Sequence, residues 1–142
     1  MVTWLYDQAG QAGAVLDEFC LRSVDGTPQA WVFGVSVFAL KGEHIGWFEH
    51  GVLFDVDNRK LGFLSGALGL GRAMPPLAEA PPLPAFSKRP YVPTLRARLA
   101  RPAAGGWSDQ RLADYLEGRE SAALRHAAHS AARHGVNADM QH

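Results

Sequence analysis

Gly10, Gly26 and Gly42 stand 16 residues apart, and the next step of that length lands on Asn58. Asparagine is the residue that best replaces glycine where a backbone turns left-handed. The neighbouring columns repeat as well. Five residues before each anchor sit Leu5, Leu21, Val37 and Leu53, and four before sit Tyr6, Arg22, Phe38 and Phe54. Four after sit Ala14, Ala30, Gly46 and Gly62; five after sit Val15, Trp31, Trp47 and Phe63; six after sit Leu16, Val32, Phe48 and Leu64. Such a chain is built from copies of one small unit, none of which can bury its apolar face alone.

Each unit reads as strand, turn, strand. The turns are Gln8-Ala9-Gly10, Val24-Asp25-Gly26, Leu40-Lys41-Gly42 and Val56-Asp57-Asn58. Asp-Gly and Asp-Asn are strong hairpin pairs because both residues tolerate left-handed backbone. The predicted fold class is all-β: four 16-residue β-hairpin repeats around a pseudo-fourfold axis, then a Pro-rich extended linker and a C-terminal α-helix. The column of Ala and Gly points to close backbone approach near the axis, or to room made for adjacent aromatics.

Three regions follow. Residues 1–66 form the repeat domain. Residues 67–107 form a Gly/Pro/Arg-rich linker or strap, since eight of the nine prolines lie between Pro75 and Pro102 and exclude helix and sheet interior. Residues 108–142 form a C-terminal helix with a frayed end, capped by Ser108 and carrying Leu112, Tyr115 and Leu116 on one face. Zero net charge conceals an asymmetry: residues 1–66 carry −4, residues 67–107 carry +5 and residues 108–142 carry −1. The acidic front and basic middle can attract each other, within or between chains.

The repeats look like those of the bacterial 4-fold beta flower family. The resemblance rests on Leu5-Tyr6-Asp7 with Gly10, Asp25-Gly26 with Ala30-Trp31, His44 to Phe48 with Gly51, Leu61-Gly62-Phe63, the Pro/Arg-rich stretch 75–102 and Trp107-Ser108. It implies the hairpin fold and supplies no catalytic residues. Val15 and Arg22 depart from the aromatic pattern, so the fourfold symmetry is imperfect.

One cysteine excludes an internal disulfide. Met1–Gln8 lacks the basic start and apolar core of a signal peptide, and no uncharged run is long enough to span a bilayer. The chain is read as cytoplasmic, with no membrane partner. The stretch 86–101 is basic but lacks a nucleic-acid fold, which argues against nucleic acid. Asp7 and Asp55 share a column in repeats one and four, which a closed ring makes neighbours. With Trp31 and Trp47 they are the candidate ligand-binding set, for a small molecule or cation at the mouth of the axis. The competing reading is that each Asp caps its own turn. His44 and His50 flank Glu49 without a nucleophile motif, and His126 and His129 lie one helical turn apart without further ligands. No catalytic residue, metal site or cofactor is assigned. Both faces of the strands are apolar, which demands self-association or cover from the strap. The leading reading is a non-enzymatic interaction or assembly module acting through self-association or another protein.

Overall fold

The computed structural model describes residues 1–70, 74–103 and 105–118. Eight antiparallel strands close into a barrel: β1 (Val2–Tyr6), β2 (Ala12–Asp17), β3 (Cys20–Arg22), β4 (Pro28–Phe33), β5 (Ser36–Ala39), β6 (His44–Glu49), β7 (Val52–Phe54) and β8 (Lys60–Leu64). Each pairs with the next in sequence, and β8 returns to β1. Closure removes every free sheet edge, which no single hairpin could do.

The 16-residue period is structural to the level of single pairs. Leu5 faces Ala14, Leu21 faces Ala30, Val37 faces Gly46 and Leu53 faces Gly62. One residue later in each repeat the register slips, between Leu5 and Tyr6 and at the three equivalent places. Four bulges at one level bend every first strand at the same mouth of the barrel. There the carbonyls of Phe54 and Tyr6 lie against Gly46 and Gly62, where a Cβ would overlap them. Close backbone approach therefore accounts for the small column in those two repeats.

The turns are also copies. The Gly10 amide donates to Asp7 O (2.9 Å), and the Asp7 amide donates to Gln11 O (2.8 Å). Ser23–Thr27, Ala39–Glu43 and Asp55–Arg59 repeat both bonds. Only the anchor is left-handed, with φ of 80° at Gly10 and 61° at Asn58. This is a three-residue loop closed by a left-handed residue, so the expected pairing of two left-handed residues is not what Asp25 and Asp57 do. At the other mouth, Glu18, Gly34, His50 and Gly66 form a second left-handed column with the same period.

Inside the barrel, Leu5, Leu21, Val37 and Leu53 pack with Leu16, Ile45 and Leu61. A short helix, α1 (residues 112–118), closes the bulged mouth and adds Leu112, Tyr115 and Leu116 to this core. It begins later than Ser108, whose Oγ instead accepts a bond from the Gln110 amide at 3.1 Å. The Tyr115 hydroxyl donates to Ile45 O (2.7 Å) and accepts from the Val56 amide (3.2 Å), which ties the plug to repeats three and four.

The outer apolar face is covered by residues 74–103, which run around the barrel as an extended belt without regular structure. The Ala78 amide donates to Gly10 O (2.9 Å), that of Ser87 to Gly26 O (3.4 Å) and that of Arg96 to Gly42 O (2.9 Å). The donors are nine residues apart and the acceptors 16 apart, so the belt visits the repeats in order. At the fourth stop Asn58 Nδ2 donates to Pro102 O (2.9 Å), and Arg101 Nε donates to Asn58 Oδ1 (2.8 Å). Pro75, Pro84, Pro93 and Pro102 keep the same nine-residue spacing and hold each crossing extended. An anchor side chain would collide with the belt: a Cβ on Gly42 would lie 2.5 Å from Thr94 O, and those on Gly10 and Gly26 would overlap Pro76 O and Ala85 O. The anchors are thus glycine for two reasons, conformation and close approach.

Belt side chains complete the cover. Leu95 packs with Cys20, Trp31 and Phe38, while Met74 and Trp107 pack with Tyr6 and Phe63. Arg98 lies over Phe38, and Arg101 lies over Trp47 and Phe54. Arg22, the residue that breaks the aromatic column, is buried. It donates to Asp17 Oδ2 (3.0 Å), Gly26 O (2.7 Å) and Ser87 O (2.7 Å), with the Phe86 ring over its guanidinium.

Candidate functional site

The two mouths of the barrel differ because one is plugged and the other is not. At the plugged mouth, Asp7 Oδ1 accepts the Ala9 (2.9 Å) and Gln11 (3.0 Å) amides, and Asp55 Oδ1 accepts those of Asp57 and Arg59 (both 2.9 Å). Each caps its own turn, as short acidic side chains do. Trp31 is fully buried and Trp47 is 4% exposed, both on the outer face and covered from outside. The four residues read as one ligand set therefore do not share a cavity. Asp7 lines a pocket of about 340 Å³ between the first turn and residues 107–112, and Asp55, Trp31 and Trp47 are not among its lining. Leu112 at the start of the helix packs against Gly13 and Gly62, and the pocket opens beside that contact, between the first turn and the chain leading into the helix. No repeat pattern signals that pocket, since it exists where symmetry fails.

His44 and Glu49 sit at opposite ends of β6 and serve different contacts. Glu49 accepts Arg101 Nη1 at 2.7 Å, and this bond holds its carboxyl below the usual range. His44 is buried between Phe38 and Trp47, and its Nδ1 accepts the Leu99 amide of the belt at 2.7 Å. Burial pushes its pKa below the ordinary 6.5; the Gly46 backbone opposes this and the Arg98 charge adds to it. A protonated Nδ1 could not accept the belt amide. The folded chain binds fewer protons here than the unfolded chain, so stability is full above about pH 6.5 and falls as the pH drops below it. Urea midpoints measured from pH 7.5 to 5 should decline across that range, and His44→Gln should flatten the decline. An unchanged slope in the variant would remove His44 as its source.

Burial raises the Cys20 thiol to about 11, so it stays protonated at neutral pH and is a weak nucleophile. Three of the four arginines in the basic stretch 86–101 contact the barrel through their side chains: Arg89 on Asp17 and Glu18 at 3.9 Å each, Arg98 on Ser36 Oγ at 2.9 Å and Arg101 on Glu49. His126 and His129 lie outside the described residues. Among the described residues, no cluster of His, Cys, Asp and Glu could hold a metal ion, and no helix is long and apolar enough to cross a membrane.

At the unplugged mouth the surface is apolar. Met1 (76% exposed), Val2, Val35 (47%) and Leu68 (83%) project from the strand ends and connections there, while Phe19 stacks on Trp31 and Phe33 with Arg89 over its ring. Val32, Phe48 and Leu64 are half-buried against the core. The position after each second-mouth turn lies outside the hairpin columns, and its four copies differ: Phe19 is stacked under Arg89, Val35 is exposed, Gly51 has no side chain and Ala67 is buried.

No curated protein and no solved structure matches the chain. The family model described as 4-fold beta flower protein matches residues 3–116, which takes in the barrel, the belt and most of the plugging helix. The chain belongs to the 4-fold beta flower family.

Proposed function

We propose that the protein is a non-enzymatic interaction module that associates through the unplugged mouth of its barrel. The belt already covers the apolar outer face of the strands, although it exposes Leu83, Tyr91 and Leu99 of its own. The observation that carries the reading is the set of exposed apolar side chains at this mouth, Met1, Val2, Val35 and Leu68. Contiguous exposed apolar surface of this kind marks contact with another apolar surface. Nearby charges are matched within the chain, Glu18 with Arg89 and Glu49 with Arg101. A strongly charged partner therefore gains little there. A second copy fits best: its rim is equally apolar, and a chain of zero net charge does not repel itself.

Light scattering over a concentration series should give twice the chain mass at high concentration. The double variant Val35→Glu/Leu68→Glu should remain monomeric with an unchanged circular-dichroism spectrum. A wild-type monomer at every concentration, or a variant that still dimerises, would refute association through this mouth.

A further inference from the structure

We infer that the pocket at the plugged mouth is a binding site for a small amine with an apolar body. This is independent of the association proposed above, which uses the opposite mouth. Asp7 is nine-tenths buried, and its Oδ1 is occupied by two turn amides. Its Oδ2 has no bonded partner and no cation pairs with it among the described residues. A carboxylate this buried is ordinarily matched by a positive group, because desolvating the lone charge is costly. Asp55, more buried at 3%, is held by the same two turn amides with no cation, so what singles out Asp7 is the cavity it lines, where a positive group would sit.

The remaining walls define the rest of the ligand. Leu61 and Leu112 form an apolar floor. Trp107 is held edge-on by Phe63 at 6.1 Å between ring centres and stands at the side, where an indole attracts both an apolar chain and an adjacent cation. Asp109 and Arg111 also line the pocket with opposite charges, which leaves Asp7 as its unbalanced charge. A volume of about 340 Å³ is at the small end of ligand pockets and suits a molecule of phenethylamine's size. Asp55 occupies the same turn position without lining this pocket, and so distinguishes a ligand role from turn capping.

The test uses the full chain and three probes of one shape: phenethylamine, neutral 2-phenylethanol and anionic 3-phenylpropionate. Titration is followed by the amide shifts of Ala9 and Gln11, the Trp107 indole shift and calorimetry. Saturable binding of the amine is expected, with both other probes weaker by roughly tenfold or more, the range of a charge-assisted bond. Asp7→Asn should lower amine affinity by roughly tenfold or more, and Asp55→Asn should leave it unchanged. Gln11→Trp fills the pocket from its exposed rim and should abolish binding even if Asp7→Asn fails to fold. The inference fails if no probe saturates, if 3-phenylpropionate binds as well as the amine, or if Gln11→Trp binds undiminished.

Discussion

Replacing Arg22 with Met should cost about 3–5 kcal/mol of stability, the range for breaking one partner out of a buried ion pair. The side chain is 3% exposed and joins three parts of the chain that are distant in sequence. Without it, Asp17 keeps its charge in a nearly buried site, with only Arg89 at 3.9 Å to offset it. The carbonyls of Gly26 and Ser87 lose their shared donor at the second belt crossing. Methionine preserves most of the volume over Phe86, so the loss reports charge and hydrogen bonds rather than a cavity. Urea denaturation measures it. The paired variant Arg22→Met/Asp17→Leu should recover much of the loss, because it removes the stranded charge along with its partner. A loss under 1 kcal/mol for Arg22→Met would mean that the guanidinium is not what fastens the belt there.

The second large effect is a contrast between two glycines. Gly26 and Gly34 are both left-handed, with φ of 91° and 62°. An alanine at either meets the same backbone penalty, about 1–2 kcal/mol. Nothing lies within 4 Å of the Cβ position at Gly34, whereas at Gly26 the Cβ would overlap the Ala85 carbonyl. Gly34→Ala should therefore cost about 1 kcal/mol. Gly26→Ala should cost about 3 kcal/mol or more, because the belt must move and the Ser87 amide loses Gly26 O. The excess of the second over the first measures the belt crossing itself. Equal losses, read from thermal or urea unfolding, would show that the belt contributes nothing at this anchor.

The barrel was legible in the sequence because its information is carried by side chains that recur. Leu5 with Ala14 and Leu21 with Ala30 are the same pair twice, and a period of 16 exposes them. The belt was harder to read. Its contacts to the anchors run through backbone amides and carbonyls, which any residue supplies, so positions such as Ala78, Ser87 and Arg96 share no chemistry. Only the spacing of Pro75, Pro84, Pro93 and Pro102 betrays the nine-residue step. Arg22 announced itself as an exception in an aromatic column, but its partners on β2 and the belt come together only in the folded chain. The Asp7 and Asp55 column was visible while its division was not. A repeat reports what the copies share, and the pocket beside Asp7 involves residues 107–112, which lie outside the repeats.

The belt also bears on how the ring opens. Seven of the eight strand pairings join neighbours in sequence; the eighth, β1 with β8, must bring the two ends of the barrel domain together. Such a join is where a ring would part first. Tyr6 and Phe63 face each other across it, and Met74 at the start of the belt and Trp107 just beyond its end share one apolar cluster with that pair. The belt is therefore a hoop whose buckle lies over the weakest stave. Parting β1 from β8 means unfastening the buckle first, so the escape route of lowest entropy cost is also the most heavily guarded. The resistance this confers is to the rate of unfolding, and it persists even where the equilibrium gain is small.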